Sequence, residues 1–277
     1  MRGKRAVAGR LAVNVALFAV AVTCIYPLVW LAYSSLKTEN EFVRSMFSLP
    51  AALQWNNYYL ALIKSKILYF FLNTVFNGVT SVAVIVFFAF CIGYFLARYD
   101  FRGKNLVNSL LMIGLVVPVH SLLVPMYIQY RLLDMVDHRG VLILPYLGVM
   151  LPLGVFLIEA YVKTLPRELE QAAEIEGATL SQTIMRIIVP LSGPILITAI
   201  IIVFNFAWNE FPFSLVLNAS ESVRNIAVGI MNFASDWDTK WTLRIAACVI
   251  SLFPVTILYV FFNRQIIKGM TEGSVKG

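Results

Sequence analysis

Long apolar runs, separated by short polar stretches, set the pattern of this chain. Uncharged or nearly uncharged runs cover residues 11–36, 67–97, 106–130, 141–162, 195–208 and 245–262. A hydrocarbon core about 30 Å thick takes about 20 helical residues per crossing. The pattern therefore predicts an all-α integral membrane protein with about six transmembrane helices. Prolines interrupt the runs at Pro27, Pro118, Pro125, Pro145, Pro152 and Pro254. Such prolines either kink the spans for a transport function or reflect the general tolerance of transmembrane helices for proline.

One stretch breaks the pattern. Residues 164–190 are too charged to span a bilayer, yet they are regularly patterned. Thr164 reads as a helix cap, with Pro166 in the first turn, where its missing N–H costs nothing. Leu169, Ala172, Ala173 and Glu176 come next at helical spacing and make one narrow face, with Glu168, Glu170 and Glu174 off it. Gly177 ends this helix through the left-handed conformation that glycine adopts at low cost. Thr179 and Gln182 have capping-box spacing for a second helix, whose face carries Leu180, Ile184, Ile187 and Ile188. Val189-Pro190 is expected to stop it. The small alanines would let another surface approach the backbone, which suggests protein docking. A helix lying flat on the membrane is the competing reading, but such helices favour basic residues on their polar face.

Composition agrees with lipid as the solvent: 60% of the 277 residues are hydrophobic and 13% charged, with mean hydropathy +0.79. The net charge of +7 raises nucleic acid as a partner, but the basic residues flank the apolar runs instead of forming one patch. With the N-terminus inside, 13 of the 22 Lys and Arg residues fall in the inner segments, among them Arg2, Arg98, Arg102, Lys104, Lys163, Arg264 and Lys276. That bias places both termini and residues 164–190 on the cytoplasmic side of a cell (inner) membrane. Trp55, Tyr58, Tyr59, Trp237 and Trp241 suit the aromatic belt at the outer interface. The basic start and first apolar run read as an uncleaved first helix, too long for a signal peptide. The chain divides into 1–66 (N-terminal segment, first helix and outer loop), 67–264 (the transmembrane core with 164–190) and 265–277 (a tail).

Little points to chemistry. Cys24, Cys91 and Cys248 lie inside apolar runs with no metal-ligand spacing and read as small buried hydrophobes. His120 and His138 have no evident partners, and no P-loop, HExxH or GxSxG motif occurs. No catalytic or metal-binding residue is expected. Glu159 is the one acid well inside an apolar run, with Lys163 as its i+4 partner. Asn205, Asn209 and Glu210 lie in or just after the fifth run. They either line a solute path or make interhelical hydrogen bonds.

The run from Glu168 to Pro190, with Gln171-Ala172-Ala173, Gly177, Ile187 and Pro190 in register, resembles the EAA signature of ABC importer permeases. The resemblance implies a coupling helix seated on a cytoplasmic ATP-binding subunit, with Glu170, Gln171, Ala172, Ala173, Glu176, Gly177, Ile187 and Pro190 at the contact. Two departures are visible: Gln171 stands for the signature glutamate and Val189 for its leucine. Residues 97–104, the Val116–Pro118 and Leu123–Tyr127 runs, 142–146, 208–211 and the tail 268–277 extend the likeness to the sugar-type, maltose-like permeases, and specifically to the shorter one of the pair. This wider likeness implies a permease of an ATP-driven sugar or oligosaccharide importer. It would work with a second permease, an ATPase dimer that binds the ATP and Mg, an extracytoplasmic solute-binding protein and membrane lipid, and would itself bind no cofactor or nucleic acid. An ABC importer for another solute and a secondary transporter remain the alternatives. The near absence of intramembrane charge weighs against the latter.

Overall fold

The computed structural model describes residues 2–231, 233 and 240–272. Trp237 and the tail residues 273–277, with Lys276, lie outside the described residues. Among the described residues four helices are long and apolar enough to cross a membrane, and two further pairs make six if each bent pair counts as one span. The four are Val13–Ser34, Ile67–Arg98, Ile143–Val162 and Trp241–Phe262. The bent pairs are Lys104–Val116 with Val119–Leu132, at 92°, and Leu180–Leu191 with Gly193–Asn209, at 75°.

The third span is therefore not the single helix expected over 106–130. Val117, directly before Pro118, takes extended backbone (ψ 123°), because the proline ring excludes the α conformation from its predecessor. The other prolines do not break their helices. Pro125 and Pro145 are third in the helices Leu123–Leu132 and Ile143–Val162, where the N–H has no intrahelical partner to lose. Pro27, Pro152 and Pro254 lie inside continuous helices.

The chain packs as two units, Met1–Tyr69 with Ile230–Phe253 and Phe70–Gly229 with Pro254–Gly277. In the first, Trp30 packs its ring on Phe42 and Phe47. Lys37 is fully buried, and its Nζ donates to the carbonyls of Ser45 (3.1 Å) and Met46 (2.9 Å). Burial pulls its pKa below the ordinary lysine value. The Glu39 carboxylate accepts from the backbone N–H groups of Trp241 (3.0 Å) and Thr242 (3.1 Å), capping the sixth span with a charge its N-terminal dipole favours. Cys24 is exposed, contrary to the buried role expected of it, because the first span buries none of its apolar window within the chain.

The second unit holds two apolar clusters. Ala89, Tyr94 and Leu96 of the second span meet Val155, Ile158 and Val162 of the fourth, together with Ile188 and Ile195. Ile85, Tyr130, Leu142, Tyr146, Val203, Phe213 and Leu217 make the other. The second and fourth spans approach to backbone distance. A Cβ on Gly93 would lie 3.0 Å from the Val155 carbonyl oxygen, and one on Gly154 would lie 3.0 Å from the Ala89 Cβ. Close approach at small residues is how helices associate in lipid, where no hydrophobic driving force remains. The second span also latches residues 222–226. Asn73 donates to the carbonyls of Ser222 and Arg224 (3.2 Å each), Thr74 Oγ1 accepts from the Ile226 N–H (2.8 Å), and Asn77 donates to Asn225 Oδ1 (2.9 Å).

Candidate functional site

Residues 164–191 fold as two short helices about Gly177. The first, Glu168–Ile175, begins later than its sequence suggests. Thr164 does not cap it: its hydroxyl donates to the Tyr161 carbonyl (2.6 Å), finishing the fourth span instead. Pro166 precedes the helix, and the N–H groups of Glu170 and Gln171 both reach the Arg167 carbonyl. Gly177 has φ +81°. Its N–H bonds the Glu174 carbonyl (3.0 Å) and that of Ala178 bonds Ala173 (2.9 Å), a Schellman closure of the helix end. Thr179 and Gln182 then form the predicted capping box, with Thr179 N–H donating to Gln182 Oε1 (2.8 Å) and Gln182 N–H to Thr179 Oγ1 (3.4 Å).

Pro190 does not stop the second helix, which runs from Leu180 to Leu191. Ile184–Ile188 form a π turn ahead of the proline. In a regular α-helix the Pro190 ring would strike the Arg186 carbonyl. The wider turn shifts the hydrogen-bond register by one residue, so Val189 N–H bonds Ile184, and the chain continues past the proline.

The first helix presents two faces. Glu170 and Ala173 turn inward, Ala173 being 5% exposed. Glu168, Leu169, Gln171, Ala172, Ile175, Glu176 and Gly177 are exposed, Ile175 at 88%. The face expected to carry Leu169, Ala172, Ala173 and Glu176 together is thus split between the chain itself and the outside. In the second helix Ile188 is buried, Ile187 half-buried with Ile184 against the first apolar cluster, and Leu180, Met185 and Pro190 exposed. Ile175 is an exposed apolar residue of this helix that sequence reasoning misses. Its signal is a second bulky aliphatic residue, beside Leu169, in a helix otherwise made of acids, glutamine and alanines.

Charge holds the inward face. Glu170 Oε1 lies 2.6 Å from Arg98 Nε, and Oε2 accepts from the Tyr94 hydroxyl at 2.9 Å. Arg98 also donates through Nη2 to the Leu165 carbonyl (3.1 Å), and Arg167 Nη2 donates back to the Arg98 carbonyl (3.2 Å). The Glu159–Lys163 pair forms as the spacing predicts, at 2.6 Å.

Of the three residues offered for a solute path, Asn205 and Asn209 are exposed on one helix face and joined by a hydrogen bond from Asn209 Nδ2 to Asn205 Oδ1 at 3.0 Å. Glu210 is turned away from solvent. At 7% exposure, its carboxylate accepts from the N–H groups of Phe213 (2.5 Å) and Ser214 (3.1 Å) and from the Tyr146 hydroxyl (3.1 Å), capping the helix Pro212–Leu217. Burial pushes its carboxyl above the ordinary carboxylate range, while those N–H groups pull it back.

Comparison with known proteins bears on the whole chain. The family of binding-protein-dependent transport system inner membrane components matches residues 89–272. The Probable ABC transporter permease protein YurM of Bacillus subtilis is 32% identical over 97% of this chain and 89% of its own length. The sulfoquinovosyl glycerol transport system permease protein SmoH of Agrobacterium fabrum is 32% identical over 92% of this chain and 90% of its own. A bacterial ABC transporter involved in the import of the acidic polysaccharide alginate superposes with a TM-score of 0.80 at 20% identity, covering 95% of this chain and 98% of that one.

Proposed function

The chain belongs to the family of binding-protein-dependent transport system inner membrane components, and from that premise we propose that it is the permease of an ATP-driven importer for a sugar or oligosaccharide. Its relatives support the solute class: SmoH is named for a sulfoquinovosyl glycerol and the superposed transporter for alginate. The observation that carries the coupling role is the helix Glu168–Ile175. It is too short to cross a bilayer, is anchored on one face by Glu170 and turns Leu169, Ala172 and Ile175 outward.

In this reading that outward face, with Gln171, Glu176, Gly177 and the exposed edge at Pro190, seats on a separate cytoplasmic ATP-binding subunit that holds the ATP and Mg. Glu170, Ala173 and Ile187 act from behind, fixing the seat to the spans. Both termini face the cytoplasm in this reading, which the bias of basic residues toward the inner segments supports. A second permease completes the membrane pair, and an extracytoplasmic solute-binding protein delivers the sugar. Closure of the ATPase pair moves the two short helices and rocks the spans between inward-open and outward-open states. Asn205 and Asn209 are the polar pair offered to the solute.

The test is reconstitution of the chain with its co-encoded ATP-binding, permease and solute-binding proteins, and then uptake of a panel of sugars. ATP-dependent uptake of a sugar is expected. Uptake without the ATP-binding subunit would instead show a secondary transporter, and ATP-driven uptake of a polyamine or phosphonate, with no sugar carried, would refute the solute class.

A further inference from the structure

We infer that Tyr94, Arg98 and Glu170 form the joint through which movement of the short helix Glu168–Ile175 enters the membrane, by way of the second span and not only through the chain beyond Gly177. The inference rests on the docking role proposed for that helix and adds the residues that transmit its motion.

Both donors to Glu170 lie on the second span, at i and i+4, so they share one face of its last turns. Each carboxylate oxygen has its own partner, at 2.6 Å and 2.9 Å. A carboxylate held at both oxygens cannot swing about one contact, so the short helix cannot roll without dragging the span. Two further bonds brace the same place from both directions, Arg98 to the Leu165 carbonyl and Arg167 to the Arg98 carbonyl. The electrostatics are favourable at both helix ends: Glu170 sits in the first turn of its helix and Arg98 in the last turn of the second span. Arg98 is buried, and a buried charged bond is much stronger and stiffer than an exposed one.

The far end of the short helix is different. Gly177 has open space around it, with no atom within 4 Å of an added Cβ. From Arg98 the path continues inward. One turn and a little more along the span, Gly93 meets the backbone of the fourth span at Val155 and Glu159, and Ala89 meets Gly154. Contacts between backbones leave little slack, so the second and fourth spans move together once the joint is pushed. These three residues are positioning residues: they touch neither nucleotide nor solute.

The test uses the reconstituted complex and measures sugar imported and ATP hydrolysed in the same vesicles. The variants are Arg98→Ala, Tyr94→Phe, Glu170→Gln and the charge swap Arg98→Glu with Glu170→Arg, with exposed Arg102→Ala as control. Wild-type, ATP-dependent uptake tests the docking reading itself, whereas the ratio of sugar to ATP across the variants tests the joint. The expected result is a ratio lowered about tenfold in Arg98→Ala, less in Tyr94→Phe and Glu170→Gln, and partly restored by the swap, with the ATP-binding subunit still bound. A ratio equal to wild type in Arg98→Ala and Glu170→Gln would overturn the joint. So would loss of the assembled complex in every variant, the mild Tyr94→Phe included, because that is the mark of a merely structural role.

Discussion

Gly177 offers the sharpest separation of backbone strain from partner contact. Its φ of +81° lies where a side chain is disfavoured, and within this chain a Cβ there would meet nothing within 4 Å. The intramolecular cost of a substitution is therefore conformational alone. For an L-residue forced left-handed it is about 1–2 kcal/mol, and alanine, at the low end, would shift the turn by roughly fivefold. Asparagine tolerates this conformation and should stay close to wild type. Leucine bears a similar backbone cost, but its side chain points into space that a docked subunit would fill. Overpacking of that kind costs about 1–3 kcal/mol. Affinity for the ATP-binding subunit, titrated in detergent, should then rank Gly177 and Gly177→Asn together, Gly177→Ala roughly fivefold weaker, and Gly177→Leu about tenfold weaker again, with equal amounts of each in the membrane. Equal affinities for Ala and Leu would remove the partner surface from this turn. An Asn variant as weak as Ala would refute the conformational argument.

Four further substitutions separate structural from functional polar groups. Glu210→Gln removes a charge that accepts three hydrogen bonds and should cost about 1–3 kcal/mol, seen as a lower melting temperature with an unchanged half-saturating sugar concentration. Asn205→Ala should do the reverse, and a solute-affinity change in Glu210→Gln would return that residue to the solute path. Asn77→Leu breaks the bond to Asn225 and should speed amide exchange in residues 218–226 before any other part of the second unit; uniform exchange would refute the latch. Gln171→Glu restores the signature carboxylate on an exposed site, where an ion pair is worth about 0–1 kcal/mol. Binding of the ATP-binding subunit should tighten by at most about fivefold, and a gain of more than about a hundredfold would mean that the partner buries a cation there.

Local features are the ones legible in the sequence. The capping box at Thr179, the left-handed stop at Gly177 and the Glu159–Lys163 pair each depend on residues within four positions of one another, and each forms. Two local rules meet competition. Thr164 is free to cap but bonds backward to Tyr161, and Pro190, a helix stop by local rules, is carried past by a π turn. The role of Glu210 is also within reach. An acid with Pro212 two residues later, and free N–H groups at positions 213 and 214, is a helix start, but its place after an apolar run points to the solute instead.

The facing of the short helix is a different kind of problem. Periodicity distinguishes sides when one side meets protein and the other meets water. Here one side meets the chain's own spans and the proposed reading puts a second protein on the other, so small and apolar residues are wanted all round. Ala172 and Ala173 look alike in sequence and end on opposite sides. The choice is made by Glu170, whose partners lie 72 and 76 positions away in a span where the only basic residue is Arg98. A lone arginine ending a long apolar helix marks orientation, and it is also a partner in search of an acid. Among the acids of the short helix, the one that meets it fixes the roll of the helix, and with it which residues remain to face another subunit.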